Sequence, residues 1–550
     1  MVEGALSAKV TSLVGGSILF FALMLYVGSR TQRWVDSASD FLVSGREINA
    51  VVIAFGLAAI GLAGSVVSGV PEYVVEFGFV PALSYMIGWV IVVSLFGLVL
   101  GPVIRRTGVY TTPEWMEQRF DRKTRVVTAI GSVLAGIAIT ASQFVGIGAI
   151  LAAMTDVPFW QTTLAITVVT LIYMYLGGLW AVTVTDVLQM VFGFVAFALV
   201  AGWLAVTYGG PTWLLETTPA GTFSLTGTDA APIVGLGFDN ILTWTLAWVA
   251  LVVGNQYYWI RIVSARSERD ATRGPILGGL LGLALVTLLA LPGAYAFGAF
   301  GDPAIAGYDV RGIIGLFILE LPIGLDALLL VALVAAVMST ASTTIIGTTT
   351  VLIRDVWEPV RGTAAGSEDL VVPSRAFTLV LGVLAWILAA GWAESALLLL
   401  GLGMAFVGPL AAVILLGLFW PRTTGTGAFA GVLVGIVTVA AWEPTQLSEF
   451  AHATYPGVLA PAIVTILVSL VTSPPYYGSR NWRQSESSAT AGTESGTDAV
   501  GEVPDPEFRA TVRELAKPWT PSTRWNRAIE TRGRERGGLV SLLVGRGEDE

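Results

Sequence analysis

The sequence predicts an all-α protein that crosses a membrane many times. Three observations carry this. Of 550 residues, 54% are hydrophobic and only 13% charged, whereas a soluble domain averages about 25% charged residues. Apolar runs of roughly 20 residues recur along the chain, each long enough to cross about 30 Å of hydrocarbon. No region shows the short alternating strands of a transmembrane barrel.

Thirteen such runs lie near residues 11–29, 50–69, 80–101, 126–154, 159–177, 181–207, 240–260, 275–299, 325–353, 375–392, 395–419, 425–442 and 456–473. The first lacks a basic leader and a small-residue cleavage site, so it reads as an extra helix within residues 1–35 rather than a signal peptide. The second carries Gly56, Gly61, Gly64 and Gly69 and then Pro71, a pattern that weakens a regular helix. Unwinding there would free carbonyls for a cation; close packing of helices on small residues is the alternative. The runs from the third to the sixth, and from the eighth to the thirteenth, read as ordinary crossings, the ninth excepted. Residues 36–475 form the membrane core and its accessory helices. Residues 476–550 form a tail whose Ser/Thr/Gly/Glu-rich part cannot bury a core and is expected to be disordered, with a short helix over 507–525.

Basic residues orient the chain. With the N-terminus outside, the inner loops carry 17 basic residues, among them Arg30, Arg46, Arg105, Arg125, Arg261, Arg354 and Arg422, and the outer side only Lys9 and Arg311. The positive-inside rule then puts the N-terminus outside and the C-terminus in the cytoplasm of a multi-pass cell-membrane protein. Every Lys and Arg falls in a loop or the tail on this count. No fixed cation sits at membrane depth, which disfavours multivalent anions as cargo.

Composition excludes other chemistries. There is no cysteine and one histidine, His452 in a polar loop, so thiolate and histidine metal sites are out of reach. None of Lys9, Lys123 and Lys517 follows a Walker A glycine pattern, so uphill work must draw on an ion gradient. No enzymatic activity, nucleic-acid partner or required protein partner is indicated. The net charge of −9 fits a halophile, in whose salty cytoplasm acidic surfaces stay soluble; a merely acidic tail is the plainer alternative.

The ninth run carries the most chemistry. Eight of the twelve residues from Ser339 to Thr350 bear a hydroxyl. Hydrocarbon supplies no hydrogen bonds, so these oxygens must face protein, a cavity or an ion. Back-bonding to the helix is the plain alternative. Helical spacing puts Ser339, Thr343 and Gly347 on one stripe, with Thr340 and Thr344 beside it. Asp186 opens the sixth run as an unpaired carboxylate, expensive in a membrane and hence a functional candidate, or else a helix cap aided by Thr183 and Thr185. Glu72 and Glu76 read as outer loop charges. In the seventh run, Asn255, Gln256, Tyr257 and Tyr258 suit a small polar solute, amides orienting it and rings covering it; Trp259 beside Arg261 reads as an interfacial belt.

Several of these segments, in this order, resemble the sodium:solute symporter family. They are Asp40-Phe-Leu-Val-Ser-Gly-Arg46, the Gly69-Val-Pro71 that follows, residues 177–186 (Gly-Gly-Leu-Trp-Ala-Val-Thr-Val-Thr-Asp), Asn255-Gln256 with Arg261, Ala335-Ala-Val-Met-Ser-Thr340, and Asp355. The resemblance covers about residues 36–475. It implies a LeuT-like core of two inverted five-helix repeats, each opening on a broken helix, and sodium-coupled import of a small organic solute by alternating access. By position it implies a Na+ site from the carbonyls of Ala59, Leu62 and Ala336 and the hydroxyls of Ser339 and Thr340, with Asp186 on the exit route. Sugar-transporting members resemble a pattern with Asn and Gln where this chain has Gly61 and Val66, and the proline branch has Asp at the place of Gly61. The spacing is nearer the proline/pantothenate side, which favours an amino acid or organic acid over a sugar. A proton-coupled symporter and a membrane solute sensor are the alternatives; the first would want a titratable group among the hydroxyls, the second a folded tail.

Overall fold

A computed structural model describes residues 2–154, 157–223, 238–301, 306, 313–361, 370–391, 396–442 and 453–473. His452, Arg311 and the tail with its expected 507–525 helix lie outside them. The described chain is helical, with one isolated bridge, between Ile48 and Ala265.

In chain order the helices are α1 (Val2–Thr31), α2 (Ala38–Val43), α3 (Ala50–Gly61), α4 (Gly64–Phe77), α5 (Phe79–Leu95), α6 (Gly101–Thr107), α7 (Thr112–Arg119), α8 (Arg122–Met154) and α9 (Phe159–Thr207). There follow α10 (Pro211–Thr217), α11 (Phe238–Gly254), α12 (Gln256–Val263), α13 (Glu268–Phe300), α14 (Ile313–Glu320), α15 (Leu325–Val351), α16 (Glu358–Arg361), α17 (Val371–Gly391), α18 (Ala396–Phe419), α19 (Gly425–Trp442) and α20 (Thr454–Val471).

Ten helices among the described residues are long and apolar enough to cross a membrane. The sequence count of thirteen rests on two further readings of the same segments. One concerns α9, whose 49 residues would span about 73 Å if straight, twice a bilayer. It turns at Gly178, with φ 53° and ψ −141°. That conformation is open to glycine and strained for any other residue, and a side chain there would also strike Phe41. The other concerns two pairs of shorter helices, α3 with α4 and α11 with α12, each interrupted by one or two residues.

In the first pair the interruption lies at Leu62–Ala63, where Leu62 leaves helical geometry (φ −97°, ψ 40°). Pro71 is not the breaker: it sits inside α4. Glu72 and Glu76, expected in a loop, also belong to α4. In the second pair Asn255 is extended (φ −94°, ψ 132°), and its side-chain oxygen accepts the Tyr257 N–H to cap α12. The preceding Gly254 ends α11, so the break has ordinary capping chemistry.

Packing divides the helices into two groups. The tightest pairing is α13 on α3, and α13 also packs on α4 and α5. The other group is built on α15, which packs on α8, α9 and α17. The apolar window of α15 is buried throughout, so its hydroxyls face protein on all sides. Of the two interrupted pairs, α3, α4 and α12 lie against α15.

Candidate functional site

The hydroxyls of α15 do two different things. Ser342, Thr344, Thr348 and Thr350 donate back to carbonyls of their own helix, and Thr349 pairs with Thr378. These satisfy themselves locally, as hydroxyls in apolar surroundings must. Ser339 and Thr340 also donate back, to Ala336, but they, Thr343 and Gly347 face the interrupted helices as well.

At the first of these positions, Ser339 Oγ lies 3.4 Å from the Ala59 carbonyl and 2.7 Å from that of Ala336. Thr340 Oγ1 lies 3.3 and 3.5 Å from the same two carbonyls. Both side chains are essentially unexposed, at 0% and 1%. Four oxygens from two helices thus converge beside the α3 interruption, and Leu62 stands at that interruption itself. Oxygens about 2.4 Å from a cation of sodium or calcium size sit about 3.4 Å from their neighbours, which matches the three spacings of 3.3–3.5 Å; the 2.7 Å contact of Ser339 with Ala336 is a hydrogen bond within the helix. The set is neutral. With no carboxylate among these four oxygens, there is no negative charge to offset the cost of dehydrating a divalent ion.

One turn further, about 6 Å along α15, Thr343 accepts a hydrogen bond from Arg261, and Arg261 also pairs with Asp186. Arg261 is 2% exposed and Asp186 0%. This corrects two expectations. Arg261 is not in a loop, and Asp186 is not an unpaired carboxylate. A fixed cation does sit in the interior, so its supposed absence no longer argues against anionic cargo. Arg261 reaches this place across α3 at Gly56, where a Cβ would stand 2.8 Å from its guanidinium carbon. The other carboxylate oxygen of Asp186, Oδ1, has no hydrogen-bond partner among the described residues.

The four solute candidates are scattered. Asn255 caps α12, with Nδ2 buried and unpartnered among the described residues. Gln256 turns away from both interruptions: its Oε1 accepts the Thr112 N–H at 2.8 Å and its Nε2 donates to the Tyr110 carbonyl at 2.8 Å. Tyr257 lies ring to ring with Tyr258, centroids 4.7 Å apart. Tyr258 Oη accepts from Trp89 Nε1 at 2.7 Å. Trp259 is buried, donating across the interruption to the Val253 carbonyl at 2.7 Å, and is not an interfacial ring.

Sequence reading missed Trp89 and Gln143. A Cβ at Gly61 would stand 2.7 Å from the Trp89 ring, so the indole occupies the space a side chain at 61 would need. Gln143 Oε1 accepts the Gly64 N–H at 2.6 Å, holding the first turn of α4. No local pattern marks either residue; only a polar amide in the apolar run of α8 hints at Gln143.

Comparison with known proteins agrees with this architecture. The model of the sodium:solute symporter family matches residues 41–435. The sodium/glucose cotransporter of Vibrio parahaemolyticus is 27% identical over 76% of this chain and 82% of its own length. The sodium/proline symporter of Haemophilus influenzae is 28% identical over 84% of this chain and 95% of its own. Among solved structures, a Na+-coupled sialic acid symporter in its substrate-bound outward-open state superposes with a TM-score of 0.72 at 20% identity, covering 85% of this chain and 98% of that one; at that identity the likeness is one of fold.

Proposed function

The chain belongs to the sodium:solute symporter family, and from that premise, a sodium-coupled symporter of a small organic solute, we propose how its residues divide the work. Sodium is held by the carbonyls of Ala59, Leu62 and Ala336 and the hydroxyls of Ser339 and Thr340. The observation that carries this is the approach of the Ser339 and Thr340 hydroxyls to the Ala59 carbonyl, at 3.4 and 3.3 Å, just before the α3 interruption. A bound ion ties α3 to α15 and so favours one arrangement of the two helix groups. Transport by alternating access requires that differential affinity, since a ligand with equal affinity for both arrangements shifts nothing.

Asp186 is the first group sodium meets on its way inward. Its unpartnered oxygen, and its pairing to Arg261 one turn below the ion, support this role. The end of the molecule carrying most of the arginines is cytoplasmic, and the N-terminus is outside. The solute sits beside the two interruptions, walled by Trp89, which is hydrogen-bonded to Tyr258. Gln256 belongs instead to the cytoplasmic contacts. An amino acid or organic acid is the favoured cargo, as in the sodium/proline relative; Trp89 against Gly61 leaves no polar side chain at 61 to recognise a sugar.

In proteoliposomes an inward sodium gradient drives uptake of the solute. One sodium crossing about 100 mV contributes roughly 2.3 kcal/mol, and a tenfold gradient about 1.4 kcal/mol more. Ser339→Ala with Thr340→Ala raises the half-saturating sodium concentration by about tenfold or more, one lost ion–oxygen contact being worth at least a hydrogen bond to a charge. Unchanged sodium dependence in that double variant would reject the site.

A further inference from the structure

At the arginine-rich end the two helix groups meet again, through contacts that the sodium site does not use. The loop 108–111 and the α7 helix that follows it are fastened to the α8/α15 group, the loop by a hydrogen bond and α7 by ion pairs. Thr111 Oγ1 donates to Asp355 Oδ1 at 3.1 Å, and Arg125 Nε donates to the same oxygen at 2.7 Å. Arg354 holds Glu114 at 3.2 Å and Glu358 at 2.6 Å, and Arg125 pairs with Glu117. A π-helical stretch over Leu352–Trp357 aims the adjacent Arg354 and Asp355 into this one network.

Two side chains from elsewhere hold the same loop, Gln256 at the start of α12 and Arg46 in the turn between α2 and α3. Gln256 uses its amide on Tyr110 and Thr112. Arg46 donates to the Gly108 carbonyl at 2.6 Å, and its guanidinium carbon lies 4.4 Å from the centre of the Tyr110 ring. The guanidinium of Arg354 lies 4.3 Å from that centre. Tyr110 thus carries two guanidinium groups on its ring, one from the turn before α3 and one from the stretch that follows α15.

Arg46 is reached through strained backbone. Ser44, Gly45 and Arg46 have φ of 51°, 59° and 62°, and Ser44 and Arg46 are the only non-glycine residues with positive φ among those described. Left-handed geometry is disfavoured for both, and it persists where surrounding contacts over-determine it. The contacts of Arg46 with Gly108 and Tyr110 are among those that hold this turn, with the Ile48 N–H bond to the Ser264 carbonyl.

We propose that Tyr110, held by Arg46 and Arg354, is the latch that holds the cytoplasmic end closed, and that opening it relaxes the Ser44–Arg46 turn. The proposal rests on the alternating-access reading but not on the identity of the sodium ligands. A cation–π clamp needs the ring and not the hydroxyl.

The test compares wild type, Tyr110→Phe, Tyr110→Leu and Arg46→Gln in lipid nanodiscs, by amide hydrogen exchange without sodium and by sodium-dependent thermal shift. Tyr110→Leu and Arg46→Gln speed exchange over residues 256–263 by about tenfold, the worth of a desolvated cation–π contact, and raise the half-saturating sodium in the same proportion, since a less populated competent state lowers apparent affinity by its fraction. Tyr110→Phe matches wild type in both. If Tyr110→Leu fails to fold, Arg46→Gln carries the test alone. Unchanged exchange in a folded Arg46→Gln protein overturns the latch, as does a Tyr110→Phe variant that exchanges as fast as Tyr110→Leu. Exchange is read without sodium, so a protein that bound no sodium would silence the thermal-shift arm alone, and a sodium site elsewhere would silence neither.

Discussion

At the scale of single residues, the Asp186–Arg261 pair decides the most. Each charge is buried and each is the other's compensation. Removing one partner of such a pair typically costs about 3–5 kcal/mol, because the survivor stays in low dielectric uncompensated. Asp186→Asn therefore lowers the unfolding midpoint and slows transport, and Arg261→Gln does the same. The double variant recovers most of the lost stability but not the transport rate. Unfolding of the four proteins in detergent checks this; strictly additive losses would mean that the two charges do not act as a pair. The sequence located Asp186 as a candidate because a carboxylate in an apolar run is rare. It misplaced Arg261 by counting along a straight helix to the membrane surface. The interruption at Asn255 and the cover of α3 and α15 keep that arginine inside.

At the scale of elements, glycines and caps govern where helices stop. Gly254 with Asn255 was legible as an ordinary helix end and start, yet the polarity of Asn255 read more readily as a ligand. The first interruption was expected from Gly56 to Pro71 but could not be placed, since glycine weakens a helix without saying where it yields. It yields at Leu62–Ala63, where Trp89 against Gly61 and Gln143 on Gly64 hold the two ends. The turn at Gly178 makes the same point for α9. Gly178→Ala would force a Cβ to within 2.6 Å of Phe41 at a disallowed backbone geometry, a loss of about 2–5 kcal/mol from strain and overpacking together. A thermal unfolding midpoint equal to wild type would show that the turn is dispensable.

At the scale of the whole molecule, the arginine asymmetry survives the loss of Arg261 from the loop count, because the rest of the basic residues in that count do not depend on it. The chain has no cysteine, so single substitutions report topology without background. Lys123→Cys, at the exposed start of α8, reacts with an impermeant maleimide only from the cytoplasmic side. Ile323→Cys, exposed just before α15, reacts only from outside. The reverse pattern would invert the proposed orientation and with it the direction of sodium flow.

By itself the sequence determined the class of molecule, the apolar segments from which the long helices form, and the stripe Ser339–Thr343–Gly347, because hydropathy and helical period are local properties that each residue carries with it. Which oxygens on that helix turn outward and which bond back was decided only by tertiary structure. So were the partnership of Asp186 with Arg261, the diversion of Gln256 to the loop 108–112, and the grip on Tyr110. Each joins residues tens to hundreds of positions apart, and no local pattern records what a folded neighbour will place opposite a side chain.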